Sequence, residues 1–234
     1  MINSIAGRAR RITPLNETEM KIIRSATKLF LENGFSKTTF SMISEDSQVT
    51  RGNIAYYFHT KEDILFLLIQ ELMDYHEDVI EEIEGKTQNV VFACAMEIAT
   101  QISICESNPV AWDLYYSAYS HLGCFEYIKD WTAKKNYRFL RSLLPDLSEE
   151  DFRAKENVAS HIEFSALTSP CNKNFTLDDK ISLILDSHMK LYDVAKDIRV
   201  ETIKKVLESD YKNLGTEIFN KFLEKFHHSI EEKP

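Results

Sequence analysis

Glycine and proline are scarce in this chain, at 6 and 5 of 234 residues. Folds that need many tight turns use more of both, so long helices joined by short connections are expected. The four cysteines, Cys94, Cys105, Cys124 and Cys171, form no C-x-x-C pair. That spacing excludes a zinc ribbon, and the seven histidines are equally scattered, so no metal is expected. His227 and His228, near the end of the chain, read as solvated. Free thiols in a reducing cytoplasm fit the cysteines better than a disulfide framework. No apolar run of signal-peptide length follows Arg8, Arg10 and Arg11, and none approaches the ~20 residues of a membrane helix, so no membrane partner is expected. H-E-x-x-H, G-x-S-x-G, a phosphate-binding loop and a dinucleotide fingerprint are all missing. Neither an enzyme nor a cofactor is expected.

What is present is an ordinary soluble composition, 44% hydrophobic and 28% charged, with a net charge of −9. The charge is unevenly divided. Residues 1–61 hold nine Lys/Arg and five acids, or +4, and the remainder therefore carries 19 bases against 32 acids, or −13. A basic head on an acidic body suits a phosphate-binding module joined to something else.

The apolar period is helical nearly throughout. Ile22, Ile23, Ala26, Leu29 and Phe30 predict a helix from Glu17 to Asn33, closed by Gly34 in a left-handed conformation with Phe35 folded back on it. Thr38 or Thr39 caps a short second helix with Phe40 and Ile43 inward, and Arg51 to Tyr57 make a third, anchored by Ile54 and Phe58. Thr60 and Asp63 open a long helix to about Glu84, ended by Gly85. Further helices are predicted at 88–106, 110–121, 124–143, 148–168, 176–196, 199–212 and 215–228, punctuated by Pro109, Gly123, Pro145, Pro170 and Gly215. The expected fold is all-α: a basic arm over 1–15, a three-helix head over 16–62 and a helical body over 63–234. Glu149, Glu150, Asp151, Asp178 and Asp179 fall at expected helix starts, where their charge favours the N-terminus.

The informative stretch is Thr39 to Asp63. Two short helices meeting at a tight turn make a helix-turn-helix. The second presents Thr50, Arg51, Asn53 and Tyr56 outward, and Arg and Asn are the side chains that read guanine and adenine edges in two-pronged fashion. Lys61 adds charge at the start of the next helix. Val49-Thr50-Arg51-Gly52-Asn53-Ile54, Tyr56-Tyr57-Phe58 and His59-Thr60-Lys61-Glu62-Asp63-Ile64-Leu65 resemble the TetR family of bacterial regulators. Ala26, Leu29-Phe30, Gly34-Phe35, Thr38-Thr39 and Ile43 fall in the same register.

The resemblance implies that Thr50, Arg51, Gly52 and Asn53 face a major groove, and that Tyr56, Tyr57, Lys61 and Thr39 hold phosphates. Arg8, Arg10 and Arg11 form an arm that could reach the backbone or a minor groove. Three places depart from the family pattern. Gln48 stands where the family has a turn glycine, Ser44 and Ser47 replace small alanines, and Ala55 replaces a tyrosine. Gln48 predicts a mildly strained or reshaped turn, and Ala55 receives no phosphate contact.

For the body the resemblance implies a homodimer, cytoplasmic and nucleoid-associated. It likewise implies a repressor on a palindromic double-stranded DNA operator, released when a small-molecule effector changes the spacing of the two heads. The helices at 148–168 and 176–196 are the dimer candidates, with Ile181, Ile184, Leu185, Leu191 and Tyr192 as apolar surface; packing within the subunit is the competing reading. Trp112, Tyr115, Tyr116, Tyr119, Phe125 and Trp131, with His161 as a polar contact, either line an effector pocket or simply fill a helical core. A DNA-organising factor without a ligand, and a helical interaction module, are the alternatives. A fully packed body would favour the first, and a large exposed apolar patch the second.

Overall fold

The structure is a computed structural model that describes residues 15–231, with side chains to residue 224. The arm residues Arg8, Arg10 and Arg11 lie outside the described residues. Among those described there are eleven helices and no strand, only one isolated bridge between Asn172 and Phe175. The helices are α1 (Glu17–Asn33), α2 (Phe40–Ser47), α3 (Arg51–Tyr57), α4 (Lys61–Thr87), α5 (Val90–Ser107), α6 (Pro109–Ser120), α7 (Leu122–Leu140), α8 (Glu149–Thr168), α9 (Leu177–Leu191), α10 (Lys196–Glu208) and α11 (Tyr211–Glu231).

Local chemistry fixes most of the boundaries. Asn16 and Glu19, Thr60 and Asp63, Ser148 and Asp151, and Thr176 and Asp179 close reciprocal capping boxes on α1, α4, α8 and α9. Pro109 sits in the first turn of α6, where its missing N–H leaves no bond unmade. Two glycines act differently from expectation. Gly85 does not end α4, which runs on to Thr87 before Gln88 turns left-handed at φ 52°. Gly215 lies inside α11, where a Cβ would stand 2.8 Å from the carbonyl oxygen of Thr100. It lets α11 press against the backbone of α5, and is a packing glycine rather than a helix break. The predicted helix at 176–196 stops at Leu191, because Asp193 takes a positive φ and α10 starts at Lys196.

The core is continuous from head to body. Ile22, Ala26, Phe30, Ile43 and Ile54 are fully buried together, and the same cluster extends through Leu65, Leu68 and Leu72 of α4 to Leu114 and Ala118 of α6. A second cluster joins α5, α9 and α10 through Ala99, Ile102, Ile181, Leu185 and Val206. α5 is the central helix of the body, in contact with α4, α6, α9, α10 and α11. Contrary to the sequence-based expectation, it is long and apolar enough to cross a membrane by length and composition, yet 61% of it is buried inside the protein. A helix enclosed on most sides by others is apolar all round for that reason alone.

Candidate nucleic-acid interface and the cavity behind it

α2 and α3 meet at a turn made by Gln48, Val49 and Thr50. Gln48 adopts the left-handed conformation (φ 57°, ψ 26°) and its Nε2 donates 2.6 Å to the carbonyl of Glu45. The turn the resemblance assigns to glycine is therefore kept, with a local side-chain bond holding a non-glycine residue in it. Val49 is buried beneath the turn, and Thr50 caps α3 by accepting from the Asn53 N–H at 3.3 Å. Thr39 does the same for α2 through Met42 at 3.3 Å.

Buried Ile54 and Phe58 seat α3 on α1 and α2, which leaves Thr50, Arg51, Gly52, Asn53 and Tyr56 on the exposed side. Tyr56 is 74% exposed, a large aromatic ring in water, and meets half-buried Tyr57 edge-on at 5.1 Å. At Gly52 an added Cβ would meet nothing within 4 Å. Glycine in a helix costs about 1 kcal/mol relative to alanine, and nothing in the protein itself requires it here. Beside α3 a polar concavity is bordered by Lys21 and Arg24 of α1 and by Asn53. Sequence reading did not single out Lys21 or Arg24, whose only signal was their place in the basic head.

The Lys61 ammonium donates to the carbonyls of Phe35 (2.8 Å) and Thr38 (3.2 Å) and lies 4.2 Å from the centre of the Phe35 ring. An ammonium with carbonyl acceptors and an aromatic face around it braces the α1–α2 turn. The same turn is tied to the body: Asp113 of α6 accepts from the Ser36 N–H at 2.8 Å and from its hydroxyl. Gly34, at φ 92°, brings the backbone close to that carboxylate, which would stand 2.9 Å from a Cβ there.

Behind the head, the body encloses a cavity of about 330 Å³ between α5, α7, α8, α9 and the segment leading into α10. Ala95, Ile98, Leu140, Leu144, Met189 and Ile198 are among its apolar walls. Its polar groups include Glu97, Thr132, Lys135, Asn136, Glu163, His188, Tyr192 and, at its edge, Asp193. None of the seven predicted pocket residues borders it. Tyr115 instead edges a crevice of about 20 Å³, where its hydroxyl meets His76 Nε2 at 2.7 Å. Trp112 stacks on Tyr116 and donates its indole N–H to the Leu167 carbonyl. Tyr119, Phe125 and Phe164 pack together, Trp131 donates to Asp74, and His161 is exposed. These rings join α6, α7 and α8 as packing between helices, and Tyr119 among them reaches a cavity residue, donating to Glu163.

Glu97, Lys135 and His188, three of the cavity's charged groups, are buried and paired with opposite charges. Burial pushes Glu97 up, but Lys135 at 3.6 Å and His76, with which it is hydrogen bonded, outweigh that and hold its carboxyl at about 2. Burial pulls Lys135 down, and Glu97 more than reverses it. Glu156 is pushed up to about 7, by burial first and then by the neighbouring charge of Glu163. His188 is drawn down by burial and raised further by its bond to Glu163 at 3.0 Å and by the nearby Glu156 charge, for a net upward shift. Glu156, Glu163 and His188 each offer a donor atom, all within 4.8 Å of one another, and are the described residues that could hold a metal. The scattered histidines gave no sign of this, because two of the three groups are glutamates seven apart on α8.

Of the predicted dimer residues, Ile181, Ile184, Leu185 and Tyr192 are buried within the subunit and Leu191 is half-buried. Leu185 and Tyr192 border the cavity. Ile181, Ile184 and Leu185 fill the core because their stripe on α9 faces α5.

The profile of bacterial regulatory proteins of the tetR family matches residues 22–68. The HTH-type transcriptional regulator HbdR of Aromatoleum sp. (strain CIB) is 40% identical over 81 residues, 34% of this chain and 35% of that protein. The HTH-type transcriptional regulator TtgR of Pseudomonas putida is 28% identical over 86 residues, 37% of this chain and 41% of that one. The HTH-type transcriptional regulator QacR of Staphylococcus aureus (strain Mu50 / ATCC 700699) is 33% identical over 81 residues, 34% and 43% of the two. The chain thus spans less than half the length of each of these relatives.

Proposed function

We propose that this chain, whose head matches the profile of the tetR family of bacterial regulatory proteins, is a DNA-binding transcription regulator of the ligand-responsive kind. The observation that carries the reading is the exposed side of α3. Thr50, Arg51, Asn53 and Tyr56 stand free of the core around a glycine that nothing in the protein requires. Arg51 and Asn53 read base edges, while Tyr56, Tyr57 and the cap hydroxyls of Thr39 and Thr50 hold phosphates. Lys61 shapes the α1–α2 turn and, from the start of α4, adds positive charge on the same side of the head. Two heads of a homodimer occupy successive half-sites of a palindromic operator.

The cavity is the effector site, mostly apolar with a few converging polar groups. Its presence counts against a fully packed, ligand-independent body. An effector acts only through a difference in affinity between head spacings. α5, a cavity wall, packs on both α4, which runs unbroken into the head, and α6, which Asp113 ties to the α1–α2 turn, so motion of that wall has two routes to the head. In a bacterial cell such a regulator works in the cytoplasm.

Selection of bound genomic fragments at fixed salt identifies the operator, after which Arg51→Ala and Tyr56→Ala are assayed on it. Each bidentate base contact is worth about 1–3 kcal/mol, so Arg51→Ala weakens binding by roughly 5- to 150-fold and relaxes sequence choice. Tyr56→Ala weakens binding alike on all sequences. Unchanged affinity in both variants, with helicity intact, would overturn the assignment of α3 as the reading helix.

A further inference from the structure

We propose that the body holds a divalent transition-metal site made by Glu156 and Glu163 of α8 and His188 of α9, opening on the cavity. The two glutamates are two turns apart, so they share one face of α8, and His188 meets them from α9. One donor atom from each lies within 4.8 Å of the other two. His188 Nε2 and a Glu163 oxygen are 3.0 Å apart. Ligand bonds of about 2.0–2.2 Å to a common ion would place those two atoms at roughly a right angle around it.

The surroundings are those of a built site. Tyr119 donates to the other oxygen of Glu163 at 2.7 Å. Ser160 at 2.8 Å, Tyr192 at 2.9 Å and Asn136 at 3.2 Å donate to Glu156. Outer donors of this kind fix ligating carboxylates in place. Independently, no lysine or arginine among the described residues makes an ion pair with buried Glu156 or half-buried Glu163, and Glu163 is paired with His188. The nearby Lys135 is paired with Glu97. Two carboxylates and a neutral imidazole around a dication sum to zero, so the ion leaves no net charge buried.

Glu163 and His188 border the cavity, which supplies a route in and space for the remaining coordination positions. One nitrogen with two carboxylates suits zinc, manganese, iron(II) or cobalt(II) better than calcium or magnesium, which favour oxygen alone. The inference shares the cavity with the regulatory reading but does not depend on DNA binding.

The full chain, stripped with a chelator and dialysed, is titrated with Co²⁺ followed by visible absorption, and with Zn²⁺ followed by calorimetry, without DNA. One ion per chain is expected. His188→Asn and Glu163→Gln should each lower affinity at least 100-fold. Tyr119→Phe keeps all three ligands and should lower it about 10-fold. A His227→Ala/His228→Ala control should retain the site. If Glu163→Gln does not fold, His188→Asn decides alone. Failure to bind either ion, or equal binding by wild type and His188→Asn, overturns the proposal. Binding of an apolar fluorescent dye by the stripped protein is measured alongside, so loss of the metal site and loss of the effector cavity are told apart.

Discussion

At the scale of single residues, Gly52 separates stability from function. It lies in the first turn of α3, exposed, with no neighbour to clash with a methyl group. Gly52→Ala is therefore expected to stabilise the fold by about 0.5–1 kcal/mol, through helix propensity and a less flexible unfolded chain. If the glycine is there for the close approach of DNA, the same change weakens operator binding while melting temperature rises. Chemical denaturation and a binding titration on one preparation check both signs. A variant that is more stable and binds equally well would show that DNA stays clear of this position.

At the scale of elements, the helices were largely legible because their signals are local. The threonine caps at 39, 50 and 60, and the acids at the starts of α8 and α9, act within one turn of the residue that shows them. Gly215 was misread because its reason lies far along the chain, in the carbonyl of Thr100, and the turn carbonyls of Phe35 and Thr38 that hold Lys61 are equally remote in sequence. The cavity was missed for the same cause. Aromatic residues drew attention to α6 and α7, whereas the cavity is marked by lone charges in apolar stretches, such as Glu97 within α5.

Glu97 also makes a pH prediction. Its folded pKa of about 2 lies below the unfolded value of about 4.3, so its stabilisation is full above the unfolded pKa and is lost as pH falls toward 2. The size is roughly 3 kcal/mol. Glu97→Gln leaves Lys135 buried without its counter-charge and should cost about 3–5 kcal/mol at neutral pH. It should also flatten the acid limb of the stability curve between pH 5 and about 2. Denaturant unfolding of both proteins across that range tests it, and parallel curves would remove Glu97 as the acid-sensitive group.

At the scale of the whole molecule, the outward side of α8 and α9 gives the prediction about assembly. Ala154, Val158, His161 and Ser165 are all exposed and recur at steps of four, three and four along α8. Val158 is 51% exposed, and Leu183 on the adjacent α9 is 57% exposed. Their inward neighbours Ala159, Ile181 and Leu185 are already buried, so a second subunit can cover only this outer stripe. Small side chains let two helix pairs approach closely, and the two apolar residues supply the centre of a patch that repeats itself across a two-fold axis.

Val158→Glu combined with Leu183→Glu places four like charges at that centre in the dimer while touching no core residue. Sedimentation should then show a 27.2 kDa monomer where the parent runs at twice that mass. Each head keeps its contacts, but the second no longer binds as part of one molecule. Affinity for a full palindrome should therefore fall about 100-fold or more, toward that of a single half-site. A variant that remains dimeric would place the interface on another face, and one that is monomeric yet binds the palindrome as tightly as the parent would show that the heads act singly.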